Sequence, residues 1–170
     1  MDKRLAKSLS TDEIKQLNPN CKVLTYPEFM QYDTLNELLA PHNCVIFLYM
    51  TSKNYGHYCA VWKNKDGELH FFDPYGTYID DQLNFVPSRV NKQLGQELKH
   101  LSRLIIKDKS IKTLFINDAK FQKLKKGINT CGRHVLVRTL LRHMSEDEYE
   151  KLFKGKDVDK AVVKITDELA

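Results

Sequence analysis

The spacing of apolar positions changes character several times along the chain, and each change marks an element. Ser10-Thr11-Asp12-Glu13 stands just ahead of Ile14 and Leu17. A hydroxyl three residues before a glutamate is the signature of a capping box, so a helix starts here, and Asn18-Pro19-Asn20 stops it. A second short helix is predicted from Thr34 to Leu39, ended by Pro41. Val45 to Met50 is a continuous apolar run of strand length, the pattern of a strand buried on both faces. His57 to Asn64 is apolar and aromatic, the Lys-Asp-Gly that follows reads as a hairpin turn, and Glu68 to Asp73 forms the return strand up to Pro74-Tyr75-Gly76.

Helical spacing returns at Val90, Leu94, Leu98, Leu101 and Ile105, predicting one long amphipathic helix from about Arg89 to Ile106. Thr113 to Ile116 reads as a short buried strand. A lysine-rich loop leads to Cys131, where a further helix is predicted with Val135, Leu136, Thr139, Leu140 and His143 on one face. Ser145 to Glu148 is a second capping box, and Asp157 caps the last helix. Helices, then a small mixed or antiparallel sheet, then helices make an α+β fold. The chain shows no internal repeat and no linker-like stretch, so residues 1–170 are expected to form a single domain.

Composition narrows the class. A hydrophobic fraction of 42% and a charged fraction of 29% are those of an ordinary globular protein. No apolar run reaches transmembrane length, and the charged N-terminal stretch has no apolar core of a secretory signal. The net charge of +5 is unevenly spread: residues 89–142 hold 14 Lys or Arg against Glu97, Asp108 and Asp118. Such a segment can attract phosphate backbones, although a solvated lysine-rich face is the plainer reading. Cys21, Cys44, Cys59 and Cys131 contain no CxxC pair. Four reduced thiols in a cytosol-like compartment are expected, with Cys44 and Cys59 as small core residues.

The chemistry concentrates in three places. His57 follows a glycine at the start of one hairpin strand, and Asp73 ends the other, so the hairpin brings them side by side. A carboxylate there can hold one ring nitrogen and leave the other free to act. Cys131 opens a helix, where unpaired N–H groups and the helix dipole favour the thiolate. Gly132 allows a substrate carbonyl close to the backbone. Gln122 can add a neutral side-chain donor for a developing oxyanion, beside the N–H of Cys131 itself. Each residue also has a plainer reading: Cys131 as a buried helix-start cysteine, His57 as a strand histidine bonded to a carbonyl, Asp73 as a turn cap before Pro74. His70 is a rival base, and Asn117 or Asn129 could replace Gln122. Trp62, Phe71 and Phe72 read as core.

Gly-His-Tyr (56–58), Phe-Phe-Asp-Pro-Tyr-Gly (71–76), Phe-Gln (121–122) and Asn-Thr-Cys-Gly-Arg-His (129–134) together resemble the adenain-like cysteine proteases. These form one superfamily with the SUMO-specific proteases and follow the order His, Asp, Gln, Cys. The likeness is strongest to maturation proteases of virophages, Polinton-type elements and large DNA viruses, and covers about residues 43–143. Tyr58 departs from the Trp that many members carry after the histidine. The resemblance implies a permuted papain-like fold, with His57 as base, Asp73 as orienting acid, Gln122 as oxyanion donor and Cys131 as nucleophile. It further implies a monomer without metal or cofactor that acts on capsid or core precursors, cutting after glycine, in the virion and the host cytoplasm. DNA or a peptide would be an activator, with residues 89–142 as the segment compatible with DNA.

Two other readings use the same residues. A SUMO-type deconjugating protease would employ the same four groups on another substrate. A zinc-stabilised binding module would use His57, Cys59, Cys131 and His134 as ligands.

Overall fold

The computed structural model describes residues 2–170. In chain order the elements are α1 (Thr11–Leu17), β1 (Lys22–Thr25), α2 (Leu35–Leu39), β2 (Cys44–Ser52), β3 (Tyr55–Lys65), β4 (Glu68–Phe72), α3 (Ser88–Leu94), α4 (His100–Lys107), β5 (Thr113–Ile116), α5 (Cys131–Leu140), α6 (Glu146–Leu152) and α7 (Val158–Leu169). The five strands form one sheet in the order β1-β2-β3-β4-β5. The central pairs β2–β3 and β3–β4 are antiparallel, and both edge strands pair in parallel. The α+β expectation therefore holds, with a mixed sheet flanked by helices. No helix among the described residues is long and apolar enough to cross a membrane.

The unbroken apolar run in β2 has a direct cause: both faces of the sheet are covered. Ile46, Leu48 and Met50 join Tyr58, Ala60, Trp62 and Phe72 in a core completed by α1, α5, α6 and α7. Val45, Phe47 and Tyr49 join Cys59, Val61, Leu69 and Phe71 in a second core with Tyr26, Phe29, α2 and α4. Alternate residues of one strand thus feed two cores, so neither face can be polar. Both capping boxes form, at Ser10/Glu13 and Ser145/Glu148, and Asp157 caps α7.

Three expectations fail. The smallest concerns β5, which is a partly exposed edge strand and not a buried one. The long helix over residues 89–106 is two helices, separated at Gly95–Lys99. Gly95 sits at φ 77° and ends α3, a conformation that glycine takes without the Cβ penalty. Gln96 is then diverted to the sheet: its carboxamide accepts from Met50 N–H (3.1 Å) and donates to Met50 C=O (2.5 Å). The four thiols are not all reduced either, because Cys21 and Cys44 form a disulfide with Cα atoms 5.0 Å apart. Parallel pairing of β1 with β2 sets Lys22 opposite Val45, which leaves Cys21 opposite Cys44. Cys59 and Cys131 are free.

Candidate active site

The β3–β4 hairpin builds the first half of the site. Its register pairs Ala60 with Phe72, so Asp73 follows opposite Cys59 and within reach of His57 two residues back. The His57 Nε2–H donates to Asp73 Oδ1 at 2.6 Å. Gly56 makes the approach of β2 possible: a Cβ there would lie 1.9 Å from the carbonyl oxygen of Tyr49.

Asp73 has no exposed surface, and a buried carboxylate needs a full set of donors. Besides His57 it accepts from the Tyr75 backbone N–H (2.8 Å), the Gln82 carboxamide (2.9 Å) and the Thr77 hydroxyl. Burial alone would raise its pKa; His57, Thr77 and Tyr75 outweigh that and hold it below the usual carboxylate range. Asn117 fixes the Asp73 backbone, accepting from its N–H (3.1 Å) and donating to its C=O (2.7 Å). Tyr75 stacks on the His57 ring at 4.4 Å between centroids and 12° between planes.

Cys131 supplies the other half. It is the first residue of α5, half-buried, and the next eight residues are buried. With Nε2 of His57 committed to Asp73, Nδ1 is the ring nitrogen left for the thiol. Burial opposes charge on both groups, but the imidazole and the thiol lie close enough for each to favour charge on the other. His57 is consequently raised to about 9, with Asp73 the largest raising influence and Cys131 the next. Cys131 is held below its ordinary value by His57 and by the N–H groups of Tyr58 and Gly132. Both shifts run in the direction of a thiolate–imidazolium pair.

The carboxamides separate clearly. Asn117 is spent on Asp73, and Asn129 donates to Ala6 C=O at 2.9 Å. Gln122 is 4% exposed and its Oε1 is buried without a hydrogen-bond partner. The Phe121 and Gln122 N–H groups both donate to Pro74 C=O, at 2.9 and 3.0 Å, tying this segment to the turn after Asp73. His70 lies elsewhere, stacked between Trp62 and Phe115 with Nδ1 3.1 Å from Glu146.

The four proposed zinc ligands do not assemble. His134 is fully buried and bonded through Nε2 to Asp159 at 2.8 Å. The group of possible ligands that comes together among the described residues is His57, Cys59 and Asp73, and two of these already bond each other. Part of the basic segment is also internal. Arg138 lies 4.7 Å from the Trp62 ring and 4.8 Å from the Tyr149 ring, and Arg133 donates to Thr166 and Asp167.

A cleft of about 460 Å³ is lined by Cys131 together with Ser8 to Asp12, Asn54 to Gly56, Tyr58 and Gly132. The Thr11 and Tyr58 hydroxyls bond at 2.7 Å across it. Tyr75, Thr77 and Gln82 were not legible as site residues; the Phe-Phe-Asp-Pro-Tyr-Gly motif contains the first, and only the fold reveals the other two.

No protein-family profile matches the chain. It is 34% identical over 140 residues to the uncharacterized protein V9 of the Sputnik virophage, covering 82% of this chain and 79% of that one. Two crystal structures of the ASFV pS273R protease superpose over 98% of the chain with TM-scores of 0.54 and 0.53, at 13% and 12% identity, spanning 69% and 68% of their own chains. At that identity the likeness is one of fold. The chain therefore belongs to the same family as protein V9 of the Sputnik virophage, and it shares the fold of the ASFV pS273R protease.

Proposed function

We propose that the chain is a cysteine endopeptidase of virion maturation. The observation that carries this reading is the buried His57–Asp73 hydrogen bond together with the free Cys131 thiol at a helix start on the lining of a cleft. In the first step the Cys131 thiolate attacks the scissile carbonyl carbon. The oxyanion that develops is held by the Cys131 N–H, unpaired at the helix start, and by the Gln122 carboxamide. The His57 imidazolium gives its proton to the leaving amine nitrogen, the C–N bond breaks, and a thioester remains. Neutral His57 then takes a proton from water, whose oxygen attacks the thioester; the acid departs and the thiolate–imidazolium pair returns. Asp73 keeps Nδ1 of the ring turned to the sulfur.

The proposed substrates are capsid or core precursors cut after glycine, processed in virions and in the host cytoplasm. The virophage relative and the fold shared with a viral protease support this choice over a modifier deconjugase. Lys120, Lys123, Lys125 and Lys126 are exposed around Gln122, a placement that suits DNA as an activator.

The test incubates purified protein with candidate virion precursors, with and without DNA, and maps products by mass. Wild type is expected to cleave at a few defined sites. Cys131→Ala is expected to abolish cleavage without changing the thermal midpoint; cleavage retained by that variant removes the mechanism.

A further inference from the structure

The active-site chemistry leaves one buried ionisable pair unused, His134 with Asp159. Asp159 lies in α7, is 1% exposed, and receives three donors from two stretches of chain, the start of α5 and the segment after Gln122. Its Oδ1 accepts from the Thr130 hydroxyl (2.7 Å) and from His134 Nε2 (2.8 Å). Its Oδ2 accepts from the Lys123 backbone N–H (3.1 Å). Thr130 directly precedes Cys131, His134 is one turn further along α5, and Lys123 directly follows Gln122.

We propose that Asp159 is a positioning residue, whose carboxylate sets the distance between the Gln122 carboxamide and the Cys131 sulfur. The inference rests on the protease reading, since it matters only where an oxyanion must be held. Its basis is geometric. Residues 123–130 form a loop without regular structure, so nothing in its own backbone ladder fixes Gln122 relative to α5. Both ends of that loop are pinned to one carboxylate. On its other side Gln122 is held by Pro74 C=O, which belongs to the turn that carries Asp73. Gln122 therefore sits between two fixed points, one on the acid's turn and one on the nucleophile's helix. Displacement of a catalytic donor by about 1 Å costs on the order of 10²-fold in rate.

A carboxylate is required because three donors converge on two oxygens. In Asp159→Asn the single carbonyl oxygen, kept by Thr130 and His134, turns an NH₂ toward the Lys123 N–H, and donor faces donor. The variant is expected to lose about 10- to 100-fold in kcat with KM within about twofold. Alkylation of Cys131 by iodoacetamide, which develops no oxyanion, should keep its rate and pH profile, and amide exchange at Lys123 should accelerate. In a Gln122→Ala background the same substitution should add no more than about twofold, because the two act through one group. A normal kcat, an equal loss in that background, or a parallel fall in alkylation overturns the proposal.

Should Asp159→Asn not fold, Thr130→Val breaks the bond next to the nucleophile and leaves those of His134 and Lys123 in place. Alkylation of Cys131 should then change, and the kcat ratio of that variant with and without Gln122 should shrink, because the sulfur has moved relative to the carboxamide; an unchanged ratio overturns the bridge. If wild type shows no thiol-dependent peptide hydrolysis, the protease reading fails separately. Lys123 amide exchange in Asp159→Asn still decides whether the carboxylate holds that segment.

Discussion

At the scale of single residues, the site is an exercise in compensating burial. His57 is 8% exposed and Asp73 fully enclosed, conditions that by themselves favour neutral groups. Charge survives because each group faces a partner of opposite sign. The proposed hydrolysis needs the thiolate and the imidazolium together, so the sign of each limb of the pH profile follows. As pH falls, activity is lost when Cys131 takes up a proton, below the ordinary thiol range. As pH rises, activity is lost when His57 releases its proton, at about 9. A profile of kcat/KM against pH should show that alkaline limb. Asp73→Asn removes the leading influence that raises His57, so the limb should move down, and kcat should fall by on the order of 10²-fold as the ring loses its orientation. An alkaline limb left in place by Asp73→Asn would contradict the assignment of Asp73. Gln122→Ala tests a different step: a loss of about 10²-fold in kcat is expected with the pH profile unmoved, because a neutral donor leaves the ion pair as it was.

At the scale of elements, local chemistry and the contiguous hairpin were readable, and pairing between distant segments was not. Ser10/Glu13 and Ser145/Glu148 announce their helices because a capping box lies within four residues. The hairpin was readable because its turn and both alternating runs are contiguous, and with it the meeting of His57 and Asp73. β1 was missed: Lys-Val-Leu-Thr has no pattern of its own and is a strand because β2 offers it a parallel edge. The disulfide was missed for the same reason, since a separation of 23 residues carries no signal until register places Cys21 beside Cys44. The break near Gly95 was hidden by apolar spacing that continues across it, while Gln96 was drawn to the end of β2. Two substitutions probe this junction. Gln96→Ala leaves the buried N–H and C=O of Met50 unpaired and should cost about 2–3 kcal/mol, read as a lower urea midpoint at unchanged slope. Gly56→Ala forces a Cβ against the Tyr49 backbone, which cannot yield as a side chain can. It should destabilise by about 1–3 kcal/mol and also slow Cys131 alkylation, because His57 is the next residue.

At the scale of the whole molecule, the two terminal regions, which matched no motif, close around the nucleophile helix. From the C-terminal side α7 supplies Asp159 to Thr130 and His134, and Thr166 and Asp167 to Arg133. From the N-terminal side Leu5 C=O accepts from the Asn129 N–H at 2.7 Å and Ala6 C=O from the Asn129 side chain at 2.9 Å. Residue 129 is thus anchored twice, two positions before the thiol, by a stretch that joins neither hydrophobic core. Stability and activity should therefore separate. Removing residues 1–7 takes away both anchors but leaves Leu9, the Ser10 capping box and Ile14, which seat α1 on the core. The shortened chain should stay folded, with its urea midpoint lowered by about as much as the loss of one enclosed leucine lowers it, since Leu5 is buried. Its kcat/KM should nevertheless fall about tenfold, because the approach to Cys131 has lost its fixed backbone. Equal activity in the shortened and full chains would mean that α5 and Asp159 alone hold the thiol in place. A cooperative loss of fold would instead make residues 1–7 part of the structural core.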